Sequence, residues 1–251
     1  MGLAVLVLVT GCATFPPPRE AGHPVSRHQR EEFLTQLHVR EGQIRSLRGI
    51  AVVEITLNQD TRRLREAVAL RTDGRFRLET LGALGLPVMI IASDGDRVTV
   101  RRAAGQKGVP EDGRELLAQL LGLQLPPASL VRLLVGLPPR PVAPSASVFY
   151  LPQRQAYLLE EERSGSVERL YLDPSGNLLG GEIWEDGEGL RFRFSAVREV
   201  KGIPFPIEIT LTQVRRPVSL TVTYQAVEIN PFLSDHLFSL PIPAAAENRG
   251  R

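Results

Sequence analysis

From about residue 49 onward, apolar and polar side chains alternate along much of the chain. In "GIAVVEITLNQ", Val53, Ile55 and Leu57 alternate with Glu54, Thr56 and Asn58, the period-two pattern of a half-buried strand. "RRLREAVALRTDGRFRLETLG" continues with Leu64, Ala67 or Val68, and Leu70. A Thr-Asp-Gly turn follows, then Phe76 and Leu78. "VMIIASDGDRVTVRR" reads as two strands around a Ser-Asp-Gly-Asp turn, a hairpin signal. Two stretches break the alternation. Residues 27 to 46 place Phe33, Leu34, Leu37 and Ile44 at helical spacing, with Ser26 able to cap the start. Residues 111 to 138 set Leu116, Leu117, Leu120 and Leu121 on one helical face closed by Gly122. Pro126 and Pro127 then open a second short helix with Leu130, Leu133 and Leu134. Strand patterns resume from "SVFYL" to "LTVTYQAVEIN". The pattern predicts an α+β, mainly β chain. It has about ten or eleven antiparallel strands, an N-terminal helix and an inserted helical pair that covers a curled sheet.

Composition narrows the chemistry. The charge is nearly balanced, 30 Lys and Arg against 28 Asp and Glu, and there are one Trp and four Tyr. That gives no electrostatic footprint or stacking surface for nucleic acid. The four histidines, His23, His28, His38 and His236, are scattered and show no metal spacing. "SGS" at 164 to 166 sits between strand patterns, without the strand-elbow-helix context of a serine nucleophile. Asp94, Asp96 and Asp173 belong to turns. Glu160, Glu161 and Glu162 read as the solvated end of a hairpin. No acid/base pair, metal site or cofactor motif emerges, so the expectation is a protein that is not an enzyme.

The single cysteine, Cys12, excludes an internal disulfide and a cysteine-based zinc site. It follows the apolar run "LAVLVLV", which is too short for the roughly 20 residues of a transmembrane helix. Val9, Thr10, Gly11 and Cys12 resemble the lipobox of bacterial lipoproteins, in which the cysteine is acylated. That resemblance implies a signal peptide over residues 1–11 and lipid attachment at Cys12. The next residue is Ala13 rather than Asp, which in the sorting rule of such lipoproteins is an outer-membrane address. The proline-rich stretch that follows suits a solvated tether over residues 12–26. A domain over 27–243 and a disordered tail over 244–251 complete the expected organisation.

Three stretches together carry a family likeness: "LRGIAVVEI", "GRFRLETLGALGLPVMIIASDGDRVTV" and "ELLAQLLGLQLPPASLVRLLVGLP". Their order resembles the LolB family of outer-membrane lipoprotein receptors, in the LolA/LolB carrier superfamily. The resemblance implies an incomplete antiparallel barrel closed by helices, with an apolar cavity for lipoprotein acyl chains. It also implies a membrane-inserting loop at Leu84, flanked here by Leu81 and Leu86. Ala83 stands where the family carries proline. The lid and cavity would use Leu116, Leu117, Leu120, Leu121, Leu130, Leu133 and Leu134. The cavity wall would draw on Val53, Ile55, Leu57, Val68 and Leu70.

The expected function is therefore an outer-membrane lipoprotein, lipid-anchored on the periplasmic face. As a monomer it would take acyl chains from a periplasmic LolA-like carrier and assist their insertion. One alternative is a module that binds a different lipid or senses lipoproteins. Another is a purely structural outer-membrane lipoprotein with a filled core. The latter predicts no cavity.

Overall fold

The computed structural model describes residues 20–102, 109–123 and 125–241. The expected signal peptide, Cys12 and the tail 244–251 lie outside these residues.

Among the described residues, fourteen strands form one antiparallel sheet, if a two-residue strand at its edge is counted. That strand is β1 (His23–Pro24), and helix α1 (Arg27–Gln43) follows. A first meander contains β2 (Ser46–Leu57), β3 (Asp60–Arg71), β4 (Phe76–Leu81), β5 (Pro87–Ser93), β6 (Val98–Arg101) and β7 (Val109–Glu111). The chain then runs through helices α2 (Gly113–Leu121) and α3 (Pro127–Leu134). A second meander returns through β8 (Ser147–Leu151), β9 (Ala156–Arg163), β10 (Ser166–Leu172), β11 (Leu178–Glu185), β12 (Glu188–Val200), β13 (Ile203–Gln213) and β14 (Val218–Ile229).

The two meanders join where β14 pairs with β2, Val222 opposite Val53. The edges, β1 and β7, do not meet. The sheet is thus an open half-barrel, as the alternation and the family likeness imply. The crossover from β7 to β8 spans the whole sheet, which is why its two helices lie across the concave face. Leu34 and Leu37 of α1, Leu116 and Leu117 of α2, and Leu130 and Leu133 of α3 share one hydrophobic core with the inward strand residues.

Three details depart from the sequence reading. The strand number exceeds ten or eleven because β1 and β7 are too short to show alternation. The turn at Asp173–Asn177 divides "VERLYLDPSGNLLGGEIWED" into two strands, as its residues indicate. Helix α1 ends at Gln43, because Ile44 is already extended at φ −110°. Its start is as expected, with a reciprocal capping box between Ser26 and Gln29. Of the glutamate run only Glu162 is exposed. Glu161 is buried and pairs with Arg163, and Glu160 bonds Arg169 at 2.8 Å. Arg169 also reaches Glu182 at 3.1 Å. These charges sit within reach of opposite partners, as burial requires.

The last residues of the expected tether are docked. His23 and Pro24 pair with Tyr150 and Phe149, and Arg154 holds Glu20 at 2.6 Å.

Candidate acyl-chain cavity and loop

Residues 64, 66, 68 and 70 of β3 point to one face, because strand side chains alternate. Residues 53, 55 and 57 of β2 do the same. Over that face lie α2 and α3. The space between is a cavity of about 330 Å³. Val53, Ile55, Leu57 and Val68 line it, and so do Leu117, Leu120, Leu121, Leu130 and Leu134. Leu70, Leu116 and Leu133 are not in the lining. They are fully buried in the adjoining core. Alternation identifies the face of a strand but not the depth along it.

The sequence reading missed other lining residues. Leu64, Leu78, Met89 and Ile91 come from the first meander, and Leu220, Val222 and Tyr224 from β14. The pairing of β14 with β2 brings the latter to the site from the far end of the chain, and no local pattern announces it. Three polar residues also line the cavity: Arg62, Glu66 and Thr80. Thr80 Oγ1 donates to Glu66 Oε1 at 2.6 Å. Burial pushes the Glu66 carboxyl up to about 7, opposed by the Thr80 hydrogen bond and helped by the nearby charge of Glu79. A signal for Glu66 was available, since it falls between Leu64 and Val68 in the same period-two register.

The two helices are held differently. On β14, Tyr224 donates its phenol to the Leu134 carbonyl at 2.8 Å. Arg132 of α3 pairs with Glu41 of α1 at 2.6 Å, both largely buried. Those contacts fasten α3. The described side chains of α2 reach the sheet by apolar contact, and its polar bonds are local: the Asp112 cap and Gln119 to Glu115. Gly122 ends α2 in the left-handed region, φ +69°. A Cβ there would come within 2.8 Å of Leu57 and Val218 methyls.

The loop from β4 to β5 stands at one end of this cavity. Gly82 donates to the Leu86 carbonyl at 2.9 Å and Gly85 to Gly82 at 2.9 Å, so the loop is a tight, defined turn. Gly85 takes φ +75°, which glycine allows without strain. The turn forms with Ala83 in the place of proline. Leu84 is 89% exposed and Leu86 67%, so Leu84 is not a core residue. Leu81 is half-buried. Val88, also exposed, borders the cavity itself. Beyond the pairing of Glu66 with Thr80, β3 continues beside the loop through Arg65, Arg63 and Arg62. Arg101 lies opposite Ile90 on the other flank.

A larger depression, about 710 Å³, lies on the convex face near the C-terminal segment. Arg77 and Glu79 at its edge pair at 2.6 Å, and Arg48 and Glu228 at 2.7 Å. It is wide and charge-rimmed, a poorer fit for hydrocarbon than the covered apolar cavity. Among the described residues, no group of three His, Cys, Asp or Glu is placed to hold a metal ion. None of the helices is long and apolar enough to cross a membrane.

A family model described as "Outer membrane lipoprotein LolB" matches residues 53–224, most of the sheet and both cavity helices. The chain belongs to the LolB family. Solved structures agree on the fold at low identity. A DUF1329 family protein from Desulfovibrio piger is 12% identical with a TM-score of 0.60, over 86% of this chain and 98% of that one. A LolA superfamily protein from Nitrosomonas europaea is 12% identical with a TM-score of 0.53, over 86% and 98%. A domain described as an outer membrane lipoprotein-sorting protein from Vibrio parahaemolyticus is 10% identical with a TM-score of 0.59, over 84% and 97%. No curated protein matches the sequence significantly. LolB membership covers both the loop and the cavity helices, since Leu84 and α2 fall inside the matched span.

Proposed function

We propose that this LolB-family protein binds lipoprotein acyl chains in the cavity under α2 and α3 and delivers them to the outer membrane. It would act as a monomeric carrier, not an enzyme, anchored through acylated Cys12 on the periplasmic face after removal of residues 1–11. A LolA-like periplasmic carrier would donate the cargo. The observation that carries this reading is the covered apolar cavity with an exposed leucine loop at its end.

The energetics require that loop. Each methylene exposed to water costs about 0.8 kcal/mol, so a chain of about fifteen would cost roughly 12 kcal/mol. Moving the chain from cavity to bilayer, apolar to apolar, costs little. Transfer therefore proceeds only if the mouth touches the membrane. Leu84 and Leu86 would each contribute about 1.5–3 kcal/mol on entering hydrocarbon. The neighbouring Arg62, Arg65 and Arg101 would add attraction to anionic headgroups, about 1 kcal/mol each. Such a contact is strong enough to form and weak enough to reverse.

At about 330 Å³ the cavity is near the lower end of ligand sites, about 300–1,000 Å³. A triacylated cargo needs more room, which α2, held by apolar contact, would make by lifting. The test is acceptance in solution. Mixing the protein with a lipoprotein-loaded periplasmic carrier should move the lipoprotein onto this protein, seen by co-purification. Retention of all cargo on the donor at every ratio contradicts the proposal.

A further inference from the structure

The apolar cavity has one buried polar group that the acyl-chain reading leaves idle. Glu66 is 8% exposed. Its Oε1 accepts from Thr80, and its Oε2 has no hydrogen-bond partner. A bare carboxylate oxygen in an apolar wall is costly, and evolution of a tight wall would favour leucine there. The charged neighbours do not satisfy it. Arg62, two turns of the pleat toward the hairpin, is exposed to solvent, and Glu79 on β4 carries the same sign. On β2 the residue opposite Glu66 is Ala51, on β4 it is Thr80, and the described helix residues lining the cavity, Leu117, Leu120 and Leu121 of α2 with Leu130 and Leu134 of α3, are apolar. Tyr224 has already given its proton donor to the Leu134 carbonyl.

We propose that Glu66, as a neutral carboxylic acid, donates a hydrogen bond from Oε2 to the acyl carbonyl of the bound ligand. This rests on the acyl-chain reading of the cavity and fixes which end of the chain lies where. An ester or amide carbonyl is an acceptor without a donor of its own. Once buried it needs a partner, and the Glu66 acid has a free end for it. Burial already holds the carboxyl up to about 7. Binding a carbonyl favours the protonated form further, so the ligand brings proton uptake and affinity falls as pH rises past that value.

The experiment is displacement of a cavity-bound alkyl fluorophore from the full chain at pH 6 and pH 8.5. The competing probes are an N-methyl fatty amide, a fatty-acid methyl ester and an alkane of matched length. Wild type should prefer both carbonyl probes over the alkane by roughly tenfold at pH 6, as one net hydrogen bond gives, and lose that preference at pH 8.5. Preference for the amide alone points to an N-acylated cargo, and for the ester alone to a glyceride, either supporting the carbonyl contact. Glu66→Gln keeps a donor and should keep the preference at both pH values. Glu66→Leu should fold, bind the alkane and show no preference. A Glu66→Leu protein that retains the wild-type preference, or a wild type that shows none, overturns this proposal alone. Failure of every probe, the alkane included, overturns the cavity reading and this proposal with it.

Discussion

Two residues of β3 and one of the β4–β5 loop show how far side-chain chemistry can be read from sequence. The family likeness singles out Leu84, and the structure leaves it 89% exposed on a hydrogen-bonded turn. Leu70 obeys the same alternation as Val68, yet it lies in solid core, because period two says nothing of depth. Glu66 shares that register and was overlooked, because a charge between apolar neighbours is normally read as solvent-facing. Its raised pKa has a measurable consequence at this scale. An acid protonated more readily when folded binds protons in the native state that the unfolded state has lost, so stability falls as pH rises. For Glu66 the window is from about 4.5 to about 7. Glu168, likewise held up to about 7 by burial, adds to it. Chemical denaturation across that window should show wild type losing up to roughly 3 kcal/mol more than Glu66→Gln. Parallel pH profiles for the two proteins would show that Glu66 is not held neutral.

At the scale of elements, the helices were easy and the strand count was not. Leu116, Leu117, Leu120 and Leu121 mark α2 by spacing, and Gly122 stops it in the left-handed region as a C-cap glycine does. Short edge strands such as β7 carry too few residues to alternate. The covering role of α2 was legible from its position in the chain, since a crossover must traverse the sheet. That α3 is fastened and α2 is not depended on Tyr224 and Glu41, far away in sequence. Gly122 presses the end of α2 against Leu57 and Val218. Gly122→Ala should therefore cost more than about 1 kcal/mol, from the positive φ and the two close methyls. Thermal melting would register it as a lowered Tm. An unchanged Tm would mean that α2 does not seat there.

At the scale of the molecule, one open sheet organises everything. Joining β14 to β2 brings Leu220, Val222 and Tyr224 beside Val53 and Ile55 in the cavity wall, a non-local pairing that hydrophobic pattern alone does not specify. The docked residues from Glu20 to Pro24 also limit the anchor. Between Cys12 and Glu20 the covalent chain can extend only about 3.3–3.6 Å per residue. Any lipid at Cys12 thus keeps the half-barrel within a few tens of ångströms of the bilayer, close enough for the leucine loop to find it. On the proposed function, cargo leaves the cavity through membrane contact at Leu84. The direct measurement is the rate at which protein preloaded with lipoprotein delivers it to phospholipid vesicles, wild type against Leu84→Glu. Because Leu84 is exposed, the variant should melt within about 0.5 kcal/mol of wild type and accept cargo normally. It should then fail to deliver, whereas a wild-type delivery rate from Leu84→Glu would contradict release through that loop.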